Sequence, residues 1–234
     1  MKILGIDTTT KFLCLGLYDD GRIYEYNLEL LRLLSNFLVP HIKRILEALN
    51  WQLNKIDYFA CGLGPGSFTG VRVGLATIKG IAWSLNKPIL GISTLDILAK
   101  NVKIPSGYVA PIIDAKRNLI YTSIYKANKG KLKRITPYLL LSEKEFYKRA
   151  KKDIYILGDA VLLYKENILK NVKGANILEI DYWYPQARNI IDLALEKIRR
   201  KEFSNIFKIK PIYLYPKECQ IRNSNLKAQM PNIK

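Results

Sequence analysis

The sequence predicts an internally duplicated α/β fold in two lobes rather than a simple doubly wound sheet. Three observations carry this. A strand–turn–strand unit opens the chain, with short apolar runs at Ile3–Ile6, Phe12–Tyr18 and Arg22–Leu28 separated by tight turns. A similar unit restarts at Tyr108–Asp114 and Leu119–Tyr125, and in both units the first strand ends on an aspartate, Asp7 and Asp114. Segments of helical period lie between and after the two.

Element by element, Asp19-Asp20-Gly21 supplies hairpin turn chemistry after the second strand. Leu34, Leu38, Ile42, Ile45 and Leu49 then recur at helical spacing over residues 35–50, where Pro40 predicts a kink or a late helix start. A strand is expected at Asp57–Leu63, a Gly/Pro-rich loop at Gly64–Thr69 and a helix at Gly70–Leu85. A strand at Pro88–Ile92 and a helix from Ser93 or Thr94 to Lys100 complete the first half. Residues 101–107, with Pro105 and Ser106-Gly107, read as a linker. Beyond the second hairpin come a helix at Glu143–Lys151, a strand at Ile154–Leu157 ending in Gly158-Asp159-Ala160, and a helix at Ala187–Arg200. The expected division is residues 1–100 as the first lobe, 101–215 as a smaller second lobe, and 216–234 as a loosely ordered segment or one packing back on the first lobe.

Composition narrows the functional classes. Among 234 residues, 49% apolar and 25% charged residues describe a chain that folds. The balance of 38 Lys and Arg against 20 Asp and Glu, a net charge of +18, favours polyanionic partners. Its clusters, among them Lys43-Arg44, Lys116-Arg117, Lys131–Arg134 and Lys148–Lys152, are scattered and read first as solvated faces. Cys14, Cys61 and Cys219 are far apart and lack metal-ligand spacing, which predicts a reduced compartment. The apolar run after Met1-Lys2 is too short for a signal-peptide core and no stretch approaches membrane-spanning length, so a cytoplasmic protein without membrane contact is expected.

The most specific string is GPGSFTGVRVG, Gly64 to Gly74, between a strand and a helix. Such a loop presents backbone N–H groups at a helix N-terminus, with Ser67 or Thr69 able to cap, and can hold an anion; equally, its glycines can serve only a tight turn. It lacks the Gly-Lys-Ser/Thr of a P-loop, and no acidic residue closes a second strand about 20 residues on. Gly70, Gly74 and Gly80 each cost a helix about 1 kcal/mol relative to Ala. Gly70 and Gly74 share a face and admit close approach of another backbone, internal or from a partner chain. His41 is the single histidine, too few for a metal site and a poor general base for Ser67, which has no GxSxG elbow around it.

The glycine string, the opening ILGIDTTT, APIIDAKRNLIY at 110–121, ILGDA at 156–160 and KPIYLYP at 210–216 together resemble the TsaB (YeaZ) family. The resemblance implies an actin-like ATPase (ribonuclease H-like) fold, two lobes each with a mixed β-sheet and flanking helices. It places Asp7, Thr8, Asp114 and Gly158 at a vestigial nucleotide site, since the first loop lacks the glycine of ATP-hydrolysing relatives and Gly158-Asp159-Ala160 is a reduced adenosine turn. It further implies a non-catalytic scaffold in the complex that transfers threonylcarbamoyl to N6 of the adenosine beside the anticodon. Its partners would be a TsaD-like catalytic subunit, a TsaE-like ATPase and, through the assembled complex, tRNA, with a homodimer when the partner is absent. No metal or cofactor of its own is expected; ATP belongs, if anywhere, to the partner or the complex interface. Phe37, Leu38, Ile45, Val71, Gly74, Leu75 and Ile78 on the first two long helices are the expected partner contacts. The rival reading is an actin-fold kinase or ATPase acting alone, with Asp7 and Asp114 around Mg-ATP. The family's older glycoprotease-like label suggests a peptidase, for which the sequence lacks catalytic groups.

Overall fold

A computed structural model describes residues 1–29 and 34–216. The expectations about the segment after Pro216, including Cys219, lie outside these residues. The first sheet has the order β3-β2-β1-β4-β5. Its strands β1 (Lys2–Asp7), β2 (Phe12–Asp19) and β3 (Arg22–Glu29) form an antiparallel meander, and β4 (Tyr58–Gly62) and β5 (Ile89–Ile92) extend it in parallel. Parallel strands need crossovers, supplied by α1 (Leu34–Ala48) between β3 and β4 and by α2 (Phe68–Ser84) between β4 and β5. Leu38, Ile42 and Leu46 of α1 and Leu75, Ile78 and Ala82 of α2 are buried against Leu4, Phe59 and their neighbours on one face of the sheet. The helix begins at Leu34, before Pro40, so the expected late start does not occur; Pro40 sits on its exposed side, where water can serve the carbonyl it leaves unpaired.

A short helix, α3 (Thr94–Ala99), capped by the Ser93 hydroxyl, leads to the second sheet, of order β10-β7-β6-β11-β12 with β8 and β9 on a branch. Its long strand β6 (Ser106–Lys116) starts inside the expected linker, because Ser106 to Val109 already pair with β8. The single strand expected at Leu119–Tyr125 is two, β7 (Leu119–Thr122) and β8 (Tyr125–Asn128), which keep one register along β6 from Ser106 to Asp114 before it shifts between Asp114 and Lys116. The break between β7 and β8 falls opposite Pro111, which has no N–H to give. There Ile124 turns aside, its amide donating to Thr136 Oγ1 at 2.8 Å and its carbonyl accepting from Ile135 N at 2.8 Å. Strands β9 (Lys131–Arg134), β10 (Leu139–Ser142) and β12 (Asn176–Ile177) and helix α5 (Val161–Asn171) were not expected; α4 (Glu143–Arg149) and β11 (Ile154–Leu157) were. The second core gathers Phe146, Ile154, Ile156, Val161 and Ile168.

The last helix, α6 (Ala187–Arg199), comes from the part of the chain expected to form the second lobe. It leaves the second lobe and packs on the free face of the first sheet, burying Ala187, Ile190 and Ile191 against Ile3, Ala60 and Leu90. The first sheet is thereby covered on both faces, as a sheet with buried parallel strands must be. Cys14 and Cys61 are buried free thiols in this lobe. Among the described residues no helix is long and apolar enough to cross a membrane.

Candidate functional site: an interlobe cleft and an outward helix face

The first lobe carries two features, of which the first is built around the loop Asp7–Thr10. From β4, the chain turns through Gly64–Gly66 into α2, with Ser67 N donating to Thr9 O at 2.7 Å and Ser67 Oγ accepting from Gly70 N at 3.2 Å as the helix cap. Thr8 then lies flat against α2. Its hydroxyl donates to the Gly70 carbonyl at 2.8 Å, and a Cβ on Gly70 would collide with Thr8 O, one on Gly74 with Thr8 Oγ1. The glycines therefore serve an internal approach of the β1–β2 loop to the helix. The amides of Ser67 and Gly70, which a phosphate clamp would aim at its ligand, are bonded to protein oxygens.

Asp7 is fully buried. Its Oδ1 accepts from Thr9 N at 2.8 Å and Thr9 Oγ1 at 2.6 Å, and its Oδ2 from Thr94 Oγ1 at 3.0 Å. Burial pushes its pKa up, and the bonds from Thr9 and Thr94 oppose that shift only in part. The carboxylate ties β1, the following loop and α3 together.

Between the lobes runs a cleft of about 970 Å³, lined by Lys11, Ser67, Asp114, Lys116, Arg117 and Asp159 among others. Asp114 accepts from Lys116 N at 2.7 Å and Lys116 Nζ at 2.6 Å, and its own amide donates to Asp159 Oδ1 at 2.9 Å. Burial raises the Asp159 pKa, with the amides of Asp114 and Ala160 and the charge of Lys116 opposing it. Of the four residues expected at a vestigial nucleotide site, Asp114 alone lines the cleft. Asp7 and Thr8 are buried behind it by the contacts above, and Gly158, at φ +113°, is pressed against the Ile112 carbonyl. The pairing of Asp7 with Asp114 across one ligand is thus not the arrangement of this cleft. A terminal strap crosses it: Ile212 N donates to Leu63 O at 2.8 Å on the first lobe, and Tyr215 Oη donates to Ala115 O at 2.9 Å on the second. The Tyr215 ring meets Tyr121 edge-on, and Tyr213 Oη accepts from Arg72 Nε at 2.8 Å. No local pattern in residues 210–216 encodes this bridging role.

His41 and Ser67 are each engaged apart. The imidazole Nδ1 lies 3.1 Å from Tyr26 Oη with Phe37 alongside, and the Ser67 hydroxyl caps α2. Among the described residues no three His, Cys, Asp or Glu side chains gather as a metal-binding group.

The second feature is the outer surface of α1 and α2. Leu38, Val71, Gly74, Leu75 and Ile78, expected to meet a partner, are buried in the first lobe, and Ile45 is half-buried against the same core; Phe37 is exposed. The helices instead turn outward Val39 and Trp83, 54% and 66% exposed, together with Ala76 and Gly80. An apolar groove of about 640 Å³ runs here between the helices, walled by Val39, Trp51 and Ile81 and flanked by Lys43 and Glu47. Nothing stands within 4 Å of the position a Gly80 Cβ would take, so the groove floor is open backbone.

Comparison with known proteins gives concordant results. The family profile described as TsaD: tRNA N6-adenosine threonylcarbamoyltransferase matches residues 30–168. The tRNA threonylcarbamoyladenosine biosynthesis protein TsaB of Bacillus subtilis (strain 168) is 33% identical over 172 residues, 72% of this chain and 75% of that protein. The protein of the same name from Buchnera aphidicola subsp. Baizongia pistaciae is 31% identical over 221 residues, 91% of this chain and 97% of its own. A crystal structure described as an uncharacterized protein with similarity to peptidase YEAZ from Pseudomonas aeruginosa superposes with a TM-score of 0.79 at 25% identity, covering 92% of this chain and 99% of that one. With the two mixed sheets and their flanking helices, these likenesses establish the actin-like, ribonuclease H-like fold.

Proposed function

Because this chain belongs to the TsaB family, we propose that it acts in tRNA threonylcarbamoyladenosine biosynthesis as a non-catalytic subunit that docks and activates a TsaD-like catalytic subunit. The observation that carries the reading is the outward apolar groove between α1 and α2, walled by Val39, Trp51 and Ile81 over the open backbone of Gly80. Isolated exposed apolar residues are ordinary, but a groove of this kind rimmed by charge is the form of a protein interface. Its partner supplies the chemistry, and a TsaE-like ATPase and tRNA join the assembled complex. In the partner's absence the same groove makes a homodimer. The rival, a lone kinase or ATPase, needs Asp7 at the ligand, whereas its carboxylate is committed to three protein donors.

Ala76 is exposed on the groove, so Ala76→Arg leaves the core untouched and obstructs the floor. Affinity for the TsaD-like subunit should fall at least tenfold, roughly 1.4 kcal/mol, while thermal stability stays within about 0.5 kcal/mol of wild type. Reconstituted tRNA threonylcarbamoylation should fall with it. Unchanged affinity would remove the groove from the interface, and modification of tRNA by the isolated chain would end the non-catalytic reading.

A further inference from the structure

We propose that the β8–β9 hairpin of the second lobe is an RNA-contacting surface that holds the phosphate backbone through Lys126, Lys129, Lys131 and Lys133. Between Asp114 and Glu143 the sequence carries seven Lys and Arg residues and no carboxylate. The fold concentrates three of them on one face. Lys126 stands directly opposite Lys133, and Asn128 opposite Lys131, so these four side chains share one side of the hairpin. All four are exposed, and Lys129 projects from the tip beside Gly130. The other side carries Tyr125, Ala127 and Leu132 and packs on the lobe. The hairpin is thus anchored by its apolar side and presents lysine outward.

Charge on an edge strand discourages pairing with other chains, and β9 is such an edge. That purpose does not require two lysines face to face, an arrangement that weakens the hairpin by like-charge repulsion. Nor are the charges neutralised within the molecule. Among the described residues none of the four hairpin lysines forms an ion pair, whereas Lys116, of the same lobe, is paired with Asp114. A row of unpaired lysines on a rigid support is suited to an extended polyanion, because each phosphate it neutralises releases a counterion. An anionic membrane fits less well: the outward face of the hairpin offers only lysine and asparagine, and a polybasic patch without an apolar anchor gives weak attachment. The choice of RNA over other polyanions rests on the proposed role in tRNA modification. Backbone contacts of this type position a nucleic acid without reading its sequence.

The test is a titration of unmodified tRNA transcript with the full chain, free and in its complex with the TsaD-like subunit, over a series of salt concentrations. The triple variant Lys126→Gln, Lys131→Gln, Lys133→Gln should bind about tenfold more weakly at ~0.1 M salt, and its plot of log affinity against log salt should be shallower by about two to three. A control triple on exposed first-lobe lysines, Lys55→Gln, Lys201→Gln and Lys208→Gln, removes the same net charge and should change binding less than twofold. The melting temperature of the hairpin variant should be unchanged or higher, since a repulsion is relieved. Equal losses in both triples would reduce the effect to net charge and overturn the proposal, as would an unaltered salt slope. Loss of binding to phosphatidylserine vesicles with tRNA binding intact would assign the patch to membranes instead. Retained assembly with the TsaD-like subunit separates this surface from the α1–α2 groove; if wild type itself failed to assemble, the docking role would fall while the free-chain slope still decided the hairpin.

Discussion

Gly74→Leu lowers the melting temperature by roughly 10 °C or more, while Gly80→Ala, six residues further along the same helix, raises it. Both glycines sit inside α2, where each costs about 1 kcal/mol in intrinsic propensity relative to alanine. What differs is the other side of the Cα. At Gly74 a Cβ would collide with the Thr8 hydroxyl, and at Gly70 with the Thr8 carbonyl, so the β1–β2 loop uses both gaps. A leucine there must displace Thr8, at an overpacking cost of about 3 kcal/mol, and disturbs the Thr8–Gly70 hydrogen bond, which contributes about 1 kcal/mol more. For a chain of this size each kcal/mol moves the midpoint by about 2–4 °C. At Gly80 nothing lies within 4 Å and the backbone is helical, so alanine should stabilise by about 0.5–1 kcal/mol. Thermal melts of the two variants check this directly. A stable Gly74→Leu protein would show that the loop does not rest on the helix as described.

The contrast between these two glycines marks how far the sequence was legible. It located the first hairpin, α2 with its serine cap and the alternation of strand and helix through Ala99, because each has a local signal. The inward face of α2 had none. Val71, Leu75, Ile78 and Ala82 are buried, but Ala76 and Trp83 leave the exposed side apolar as well, so periodicity could not tell core from surface. Five of the seven expected partner contacts, Leu38, Val71, Gly74, Leu75 and Ile78, consequently fall at buried positions. The break between β7 and β8 depends on Pro111 of a neighbouring strand, and the return of α6 to the first sheet is a tertiary event. Helix α5 escaped notice for a different reason. Val161, Tyr164 and Ile168 have helical spacing, yet Ala160 provides no side-chain cap to announce the start. In the cleft, the sequence named both aspartates and their hairpins. It could not show that Asp7, unlike Asp114, has turned away from the cleft into a pocket of threonine donors.

That buried carboxylate supports the second large effect. Asp7→Ala leaves Thr9 N and Thr9 Oγ1 without their acceptor in a site closed to water, while Thr94 Oγ1 keeps only Thr9 Oγ1 at 3.0 Å. At about 1–3 kcal/mol for each buried group left unsatisfied, the loss should reach roughly 3 kcal/mol or more. Asp7→Asn should be far milder. Its Oδ1 still accepts from Thr9, and the Thr94 hydroxyl, 3.0 Å from Thr9 Oγ1, can donate there while accepting from the new amide. The two proteins also differ in pH dependence. Burial raises the folded-state pKa of Asp7 above its ordinary value of 3.8, so the folded protein binds the proton more tightly than the unfolded chain. Its contribution is therefore fully present below 3.8 and is lost as pH rises through the folded value. Wild type should gain on Asp7→Asn in acid and lose ground as the pH is raised, which denaturant titrations across that range will measure. The same asparagine variant discriminates function. If Asp7 only holds three elements together, Asp7→Asn, once folded, supports threonylcarbamoylation of tRNA by the complex at near wild-type rates; a folded variant that assembles with its partner yet loses activity a hundredfold would return Asp7 to the chemistry and revive the ATPase reading.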